Sequence, residues 1–212
     1  MTNLTIKTVA FDARYINDRY HGIGRYAYNL LDALIRLDPD RRYLVFYHPD
    51  YPNTRFNMEA LREHDNAELR PIQVPLYAPT EQFVWSFLLA QSRADLFHSP
   101  YVVLPLLTRI RSVQTIHDLI FEHYPEYRPR GILKNFYRPV TQLGITRAHL
   151  VLTVSASTKH EIETYYRVSR ERIHVTGNGV DAGFKRENDA ARLAAVRECY
   201  NLPERFLSLI HI

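Results

Sequence analysis

The chain alternates between short apolar runs and longer segments in which apolar residues recur every three or four positions. The short runs predict buried strands, and the longer segments predict amphipathic helices. Strands are predicted at residues 5–12, 43–47, 68–74, 95–98, 111–117, 150–154 and 172–176. Helices are predicted at residues 24–37, 58–63, 80–92, 132–147, 155–166 and 189–200. This alternation predicts an α/β fold with a Rossmann-like, doubly wound, mostly parallel sheet.

Three helices carry more detailed expectations. In the first, the face predicted to be buried comprises Ile23, Ala27, Leu30, Leu31, Leu34 and Leu37. Pro139 is predicted to kink or split the helix at 132–147. Thr158 and Glu161 have the spacing of a capping box.

The pattern also predicts the domain organisation. Residues 1–184 form a first domain, residues 185–204 a connecting helix, and residues 205–212 (RFLSLIHI) an apolar strand. Because that strand follows a completed domain, we expect it to begin a second domain of which the rest is missing.

Composition narrows the class only slightly. The 212 residues are 46% hydrophobic and 24% charged, which is typical of a folded globular protein. The net charge of +4 permits an anionic partner without favouring nucleic acid. The single cysteine, Cys199, excludes an internal disulfide and fits a reducing compartment. We find no signal peptide and no segment long enough to cross a bilayer, so we expect a cytoplasmic protein that at most lies on a membrane.

A glycine pair, Gly22 and Gly24, precedes the first predicted helix and formally satisfies the G-x-G-x-x-G/A dinucleotide pattern with Ala27. In a dinucleotide fingerprint the first glycine follows the strand almost at once, whereas here residues 13–21 form a polar loop. A tight turn is a second interpretation. Close approach of a phosphate or sugar to the helix N-terminus is the favoured one.

Two further candidate stretches lie at predicted strand ends, where open α/β sheets bind ligands. His117 and Asp118 follow the fifth strand, where an imidazole can bond substrate, move a proton or simply satisfy nearby backbone. His98 and His123 lack a convincing spacing for a metal site with His117, so we expect no metal. Residues 155–159 (SASTK) are a helix cap that could also contact an anion or a hydroxyl group.

The span from residue 128 to residue 149 is basic and contains no acidic residue. Its cations, interleaved with apolar positions, include Arg128, Arg130, Lys134, Arg138 and Arg147. A basic amphipathic helix of this kind can lie on anionic lipid, and an ordinary solvated face remains an equal alternative.

Taken in order, several stretches resemble glycosyltransferase family 4, whose members are retaining enzymes with the GT-B fold. They are FDARY…GIGRYAYNLLDAL, DLFHSP, VQTIHDL…PE, LVLTVSASTKHEI and RIHVTGNGVDAGF, which span residues 9–184. The resemblance implies two Rossmann-like domains facing a cleft, with the acceptor mainly on the first and a nucleotide-diphospho-sugar mainly on the second.

The resemblance also implies roles for residues. Gly22 and Gly24, followed by Arg25, would approach the donor diphosphate and sugar, while Ser155 and Lys159 would lie at the cleft edge. His117 would line the reaction centre with Asp118 beside it. The implied reaction is transfer of a hexosyl unit, mannosyl or glucosyl by family frequency, to a polysaccharide or lipid-linked glycan. The family needs no metal to hold the diphosphate and no cofactor. It also needs no side-chain nucleophile, because the leaving phosphate assists deprotonation of the acceptor.

The sequence departs from the family after residue 212, where the family continues with an Arg/Lys pair and two glutamates that bind the donor. We therefore expect this polypeptide alone to be inactive. Two other functions stay open: a dinucleotide-dependent oxidoreductase, and a non-catalytic sugar- or lipid-binding module with the same fold.

Overall fold

The computed structural model describes residues 6–127, 133–180 and 183–207, without the side chains of residues 133–137. The described chain divides into two compact units, Met1–Asn178 and Gly179–Ile212. The predicted boundary, after residue 184, lies a few residues further along the chain.

The first unit contains a seven-stranded sheet in which every neighbouring pair is parallel. Its strands are β1 (Thr8–Asp12), β2 (Arg42–Tyr47), β3 (Ala67–Pro71), β4 (Leu96–Ser99), β5 (Arg111–Ile116), β6 (Leu150–Thr153) and β7 (Ile173–Val175). The spatial order is β3-β2-β1-β4-β5-β6-β7. The chain therefore winds outward in one direction from β1 and returns to wind in the other from β4, which confirms the doubly wound parallel sheet.

Helices cover both faces of this sheet. They are α1 (His21–Leu37), α2 (Glu81–Ser92), α3 (Ile120–His123), α4 (Leu133–Arg147) and α5 (Ala156–Tyr166). Short 3-10 helices occur at Ala13–Tyr15, Glu59–Glu63, Pro125–Tyr127 and Arg170–Arg172, so the predicted helix at 58–63 is a 3-10 turn. The second unit contains α6 (Ala190–Cys199), which Asp189 caps by accepting from the N–H groups of Ala191 and Arg192.

The core has two layers because successive side chains of a strand point to opposite faces. Val9 and Phe11 of β1 pack on one face against α1, whereas Ala10 between them packs on the other face. That second face is covered by α2, α4 and α5. The central strands are buried on both sides, as expected for a parallel sheet with crossover helices, whereas the edge strands β3 and β7 are partly exposed.

Four local expectations need correction. On α1 the buried residues are Gly24, Ala27, Leu31 and Ile35, whereas Leu37 at the last turn is 82% exposed. Helix α4 runs through Pro139 without a break.

The cap of α5 is Ser155 and not Thr158. The Ser155 side chain accepts from the Thr158 N–H at 3.0 Å, because the helix begins three residues earlier than a Thr158 cap requires. Glu161 instead lies 3.2 Å from the imidazole of His123. Of the predicted strand at 205–212, residues 205–207 are not a strand, and the remainder lies outside the described residues.

Candidate functional site

The predicted site residues of β5 lie one strand away from the point where the strand order reverses, between β1 and β4. β1 is flanked by β2 on one side and β4 on the other, and β5 follows β4 in the sheet. Because crossover connections leave in opposite directions there, a crevice opens at the carboxyl ends of these strands, and ligands of doubly wound folds bind in it. His117, directly after β5, lies at this edge.

The imidazole of His117 is held by the loop that follows β4. Its Nε2 lies 2.9 Å from the carbonyl oxygen of Pro100. A carbonyl can only accept, so Nε2 carries the proton and donates it. In the neutral ring, Nδ1 is therefore the atom with a free lone pair, and it can accept a hydrogen bond from a hydroxyl group.

The surroundings of His117 favour the neutral ring. Burial lowers the pKa of His117, and this effect outweighs the hydrogen bond to Pro100 and the nearby carboxylate of Asp118, which both raise it. His117 is thus a hydrogen-bond acceptor or base at neutral pH rather than a cation for a phosphate.

Tyr26 of α1 packs against this imidazole. The two rings meet edge to face, with centroids 4.6 Å apart and an interplanar angle of 87°. The Tyr26 hydroxyl also lies 3.4 Å from Oγ1 of Thr115, and that oxygen lies 3.1 Å from Nε2 of His98. His98 is buried beneath the site, and its pKa is lowered to about 4 by burial and then by repulsion from His117 when both rings are protonated. A chain of neutral polar groups therefore runs under His117.

Asp118 closes the turn after β5. One of its carboxylate oxygens accepts from the Ile120 N–H at 3.1 Å, at the start of α3, while the side chain is exposed to solvent. Its catalytic role stays a prediction, and the described contacts explain it as a turn residue that favours the protonated form of His117.

The two glycines differ from each other, and both lie within the first turn of α1 rather than in the loop before it. A β-carbon on Gly24 would lie 2.8 Å from the backbone oxygen of Tyr15, so this glycine is needed for packing of the helix on the preceding segment. A β-carbon on Gly22 would meet nothing within 4 Å. Only Gly22 therefore leaves open space for a ligand at the helix N-terminus.

The other predicted binding residues do not all gather at His117. Ser155 does, because Thr158, which it caps, also donates from Oγ1 to the backbone oxygen of His117 at 3.3 Å. Lys159 points away, since its amine donates to the carbonyl of Ile173 at 2.6 Å, at the start of β7. Arg25 is exposed on α1 and forms no hydrogen bond or ion pair with the described residues.

A buried ion-pair cluster at the end of β1 was missed by the sequence interpretation. The guanidinium of Arg14 donates through Nε and Nη2 to the two carboxylate oxygens of Asp12, at 2.8 and 2.7 Å, and also to Glu81. Its Nη1 donates to the carbonyl of Val74 at 3.1 Å. The loop at 13–21 was expected to be polar, but its residues 13–17 are buried. The ion pair between Arg14 and Glu81 connects this loop to α2.

The cation-rich helix is only partly described. Arg138 lies on α4, where its Nε is 3.5 Å from a carboxylate oxygen of Glu122. Lys134 belongs to the same helix, but its side chain lies outside the described residues, as do Arg128 and Arg130 entirely. Arg138 is thus an ion-paired residue, and membrane contact by this segment stays a prediction.

Among the described residues, no group of three or more His, Cys, Asp or Glu side chains could hold a metal ion. None of the helices described has the length and apolar character needed to span a membrane.

A strand order that reverses between β1 and β4, with a neutral histidine at the crevice, defines a Rossmann-like ligand-binding domain. Within that class the sequence indicates one family, because residues 20–184 match the family described as Glycosyltransferase Family 4. The chain belongs to this family, which confirms the resemblance. No curated protein matches it.

Solved structures show the same fold. Sucrose-phosphate synthase from Thermosynechococcus elongatus is similar with a TM-score of 0.56 and 13% identity, over 93% of this chain and 53% of that one. A glycosyltransferase from Rickettsia africae ESF-5 is similar with a TM-score of 0.55 and 14% identity, over 95% and 51%. For the apo form of the lipopolysaccharide outer core galactosyltransferase WaaB the values are 0.53 and 15%, over 82% and 46%. The chain spans about half the length of these GT-B proteins.

Proposed function

We propose that this chain provides the acceptor-side domain of a retaining glycosyltransferase. The reaction transfers a hexosyl unit, mannosyl or glucosyl, from a nucleotide-diphospho-sugar to a polysaccharide or lipid-linked glycan. The family match over residues 20–184 is the observation that carries this proposal. The position of His117 at the crevice of the sheet supports it, because the acceptor hydroxyl of such a reaction must meet the donor at that edge.

His117 contacts the reacting sugars in this proposal. With Nε2 bound to Pro100, Nδ1 accepts a hydrogen bond from a hydroxyl group of the donor sugar or of the acceptor. Same-face attack with assistance from the leaving phosphate requires no side-chain nucleophile, so His117 serves to orient a hydroxyl group.

The donor phosphates approach the first turn of α1. The Gly24 N–H already donates to the carbonyl of Tyr20 at 2.6 Å, so the free N–H groups are those of residues 21–23. Free N–H groups and the helix dipole attract phosphate. Gly22 lies among these donors and leaves space for a phosphate group.

The test is transfer by the full-length gene product. Purified protein is incubated with a panel of UDP- and GDP-hexoses and with lipid-linked glycans, and the new linkage is examined by NMR. We expect a product with the anomeric configuration of the donor, and a loss of transfer of about 100-fold in His117→Ala, the scale for a lost positioning contact. His160→Ala, an exposed change on α5, is the matched control.

Four outcomes would contradict the proposal. An inverted product would exclude the retaining mechanism. Unchanged transfer in His117→Ala would exclude the role of this residue. Tight binding of NADH without any sugar transfer would favour the dinucleotide enzyme, whereas glycan binding without transfer would favour a binding module.

The predicted cytoplasmic location at the inner face of the membrane belongs to the same proposal. Co-sedimentation with vesicles that contain about 30% phosphatidylglycerol, an anionic lipid, should weaken as salt rises, because cation–lipid attraction is screened. Binding that does not respond to salt or to anionic lipid would refute membrane contact through the basic helix.

A further inference from the structure

A cluster of four tyrosines lies beside His117 and has no role in the function described above. The ring of Tyr15 contacts those of Tyr20 and Tyr101, with centroids 5.3 and 5.4 Å apart. The ring of Tyr101 in turn lies 6.4 Å from the imidazole of His117. Tyr77 completes the cluster, since its hydroxyl is close enough to Tyr15, Tyr20 and Tyr101 to interact with them. These four residues are called the tyrosine cluster.

The tyrosine cluster has a buried base and a partly exposed rim. Tyr15 is fully buried, and its hydroxyl has no hydrogen-bond partner among the described residues. Tyr20, Tyr77 and Tyr101 are half-buried, so part of each side chain reaches solvent. Burial raises the pKa of Tyr15, Tyr20 and Tyr77, so these hydroxyls stay protonated and can both donate and accept hydrogen bonds.

The segment that carries Tyr77 is held in an unfavourable conformation. Tyr77 has a φ of 64°, in the left-handed region, which is unfavourable for a residue other than glycine. Its N–H donates to Glu81 at 2.9 Å, and the preceding N–H, of Leu76, donates to the Tyr51 hydroxyl at 3.1 Å. Strain of this kind persists where the surroundings fix a side chain in place, and it is concentrated at ligand sites.

The charges around the tyrosine cluster argue against an anionic ligand. Arg14 lies next to it, but its guanidinium already donates to Asp12, Glu81 and the Val74 carbonyl. Arg19 lies with its guanidinium carbon 5.8 Å from the ring centre of Tyr20, at the outer side. The two buried carboxylates exceed the single buried guanidinium, so the base of the tyrosine cluster offers no excess positive charge to a phosphate or carboxylate.

We propose that the tyrosine cluster binds an uncharged hexopyranosyl ring of the acceptor. The polarised C–H face of the sugar packs on the exposed parts of the Tyr20, Tyr77 and Tyr101 rings, and one of its hydroxyls bonds to the hydroxyl of Tyr77. The contact between Tyr101 and His117 makes the subsite continuous with the reaction centre. This inference rests on the proposed function, since it names the acceptor class for the same site.

Binding is tested directly with methyl α-glucopyranoside and methyl α-mannopyranoside, each beside its 6-phosphate. Saturation-transfer NMR on the full-length protein should show one of the neutral sugars bound through its C–H face, and its 6-phosphate bound more weakly. Tyr101→Ala should weaken that binding about fivefold or more, as loss of one aromatic contact requires. Tyr124→Ala, at a tyrosine 51% exposed on another segment, is the matched control.

A milder variant guards against misfolding. Tyr77→Phe keeps the ring and removes only the hydroxyl, and Tyr28→Phe is its control on α1, where the hydroxyl donates to the Asn57 carbonyl. Circular dichroism should show both folded. Tyr77→Phe should raise the KM for acceptor severalfold, whereas Tyr28→Phe should leave it unchanged.

The outcomes separate the subsite from the enzyme activity. Three results would overturn the subsite even if transfer occurs. They are binding of neither neutral sugar, tighter binding of the 6-phosphates, and unchanged sugar binding in Tyr101→Ala together with an unchanged acceptor KM in Tyr77→Phe. Neutral-sugar binding that Tyr101→Ala removes, in a protein that transfers no sugar, would support the subsite while the proposed transferase function fails.

Discussion

The ring of Tyr26 meets the imidazole of His117 edge-on, with centroids 4.6 Å apart. On another side the same imidazole donates to the Pro100 carbonyl. Helix α1 and the loop after β4 thus fix both the plane of the ring and the tautomer. A histidine at the end of β5 could otherwise rotate about its side-chain bonds, so the orientation of Nδ1 depends on these two contacts.

Tyr26 should act on transfer through its ring rather than its hydroxyl. The distance of 3.4 Å to Thr115 is long for a hydrogen bond between hydroxyls, so Tyr26→Phe should keep kcat within about threefold. Tyr26→Ala removes the edge contact and should lower kcat by roughly 10- to 100-fold, since small misplacements of a positioning group have effects of that order. The ¹⁵N shifts of His117 should change only in the alanine variant.

Tyr28→Ala is the control for that series, because Tyr28 lies on the same helix and packs on Phe56 instead. Equal losses of kcat in Tyr26→Ala and Tyr28→Ala would indicate a general effect on α1 and refute positioning of His117.

The rate of transfer should depend on pH through His117. Burial lowers its pKa below the ordinary value of 6.5, so the neutral, accepting form should persist below pH 6.5 and be lost on further acidification. We expect kcat/KM to fall on the acid side with an apparent pKa below 6.5, and this limb to be absent in His117→Gln. An acid limb that is unchanged in the glutamine variant would assign it to another group.

His98 should make the fold sensitive to acid. Its pKa is lowered to about 4 by burial and by His117, so the unfolded chain takes up a proton at higher pH than the folded chain does. Neutral His98 therefore stabilises the folded state fully above pH 6.5. As the pH falls toward 4, the free energy of unfolding should decrease by about 3 kcal/mol. Urea titrations between pH 7 and 4 should show this slope, and His98→Gln should reduce it, whereas His160→Gln should not.

Alanine at the two glycines of α1 should have opposite effects on stability. Gly24→Ala would place a methyl group against the Tyr15 backbone oxygen and should destabilise the protein by about 1–3 kcal/mol. Gly22→Ala meets open space and should be neutral or stabilise the helix by up to about 1 kcal/mol. Urea midpoints test both, and similar midpoints for the two variants would contradict the packing role of Gly24. If Gly22 faces a donor phosphate, its alanine variant should raise the donor KM.

Breaking the buried ion-pair cluster should be costly. Arg14→Met leaves the Asp12 and Glu81 carboxylates buried without a cation and should destabilise the fold by about 3–5 kcal/mol. Arg36→Met removes an exposed ion pair with Asp32 one turn away on α1 and should cost about 0.5 kcal/mol or less. Thermal or urea unfolding compares the two, and equal effects would show that the buried pairs contribute no more than a surface pair.

Local pattern was enough to predict the strands and most of the helices, because burial on both faces makes central strands such as β1 and β2 nearly continuous apolar runs. It also pointed to His117 at the end of β5 as a candidate site residue, a role that stays a prediction. It placed a cap within residues 155–159 and a capping box at Thr158 and Glu161, whereas Ser155 alone caps α5, since several hydroxyl residues close together offer more than one possible cap. Local pattern could not predict contacts between residues that are far apart in the chain.

Glu81 illustrates that limit. It is 67 positions from Arg14, and nothing in the residues around it distinguishes it from an ordinary acidic residue at the first turn of a helix. Tyr26 is a second example. From the sequence alone, a tyrosine on an amphipathic helix could belong to the surface or to the core, and only the folded sheet brings His117 beside it. Lys159 shows the reverse error, where a cation in a promising motif is bonded to the backbone of the neighbouring strand.

The buried cluster of Asp12, Arg14 and Glu81 also constrains how this sequence can change in evolution. Each of the three side chains is 2% exposed or less. A single replacement at any of them leaves the others with an uncompensated charge, whereas simultaneous replacement by apolar residues of similar volume can be tolerated. Homologues should therefore keep all three residues or lose them together, so this cluster should appear as a correlated set between two segments that are far apart in the chain.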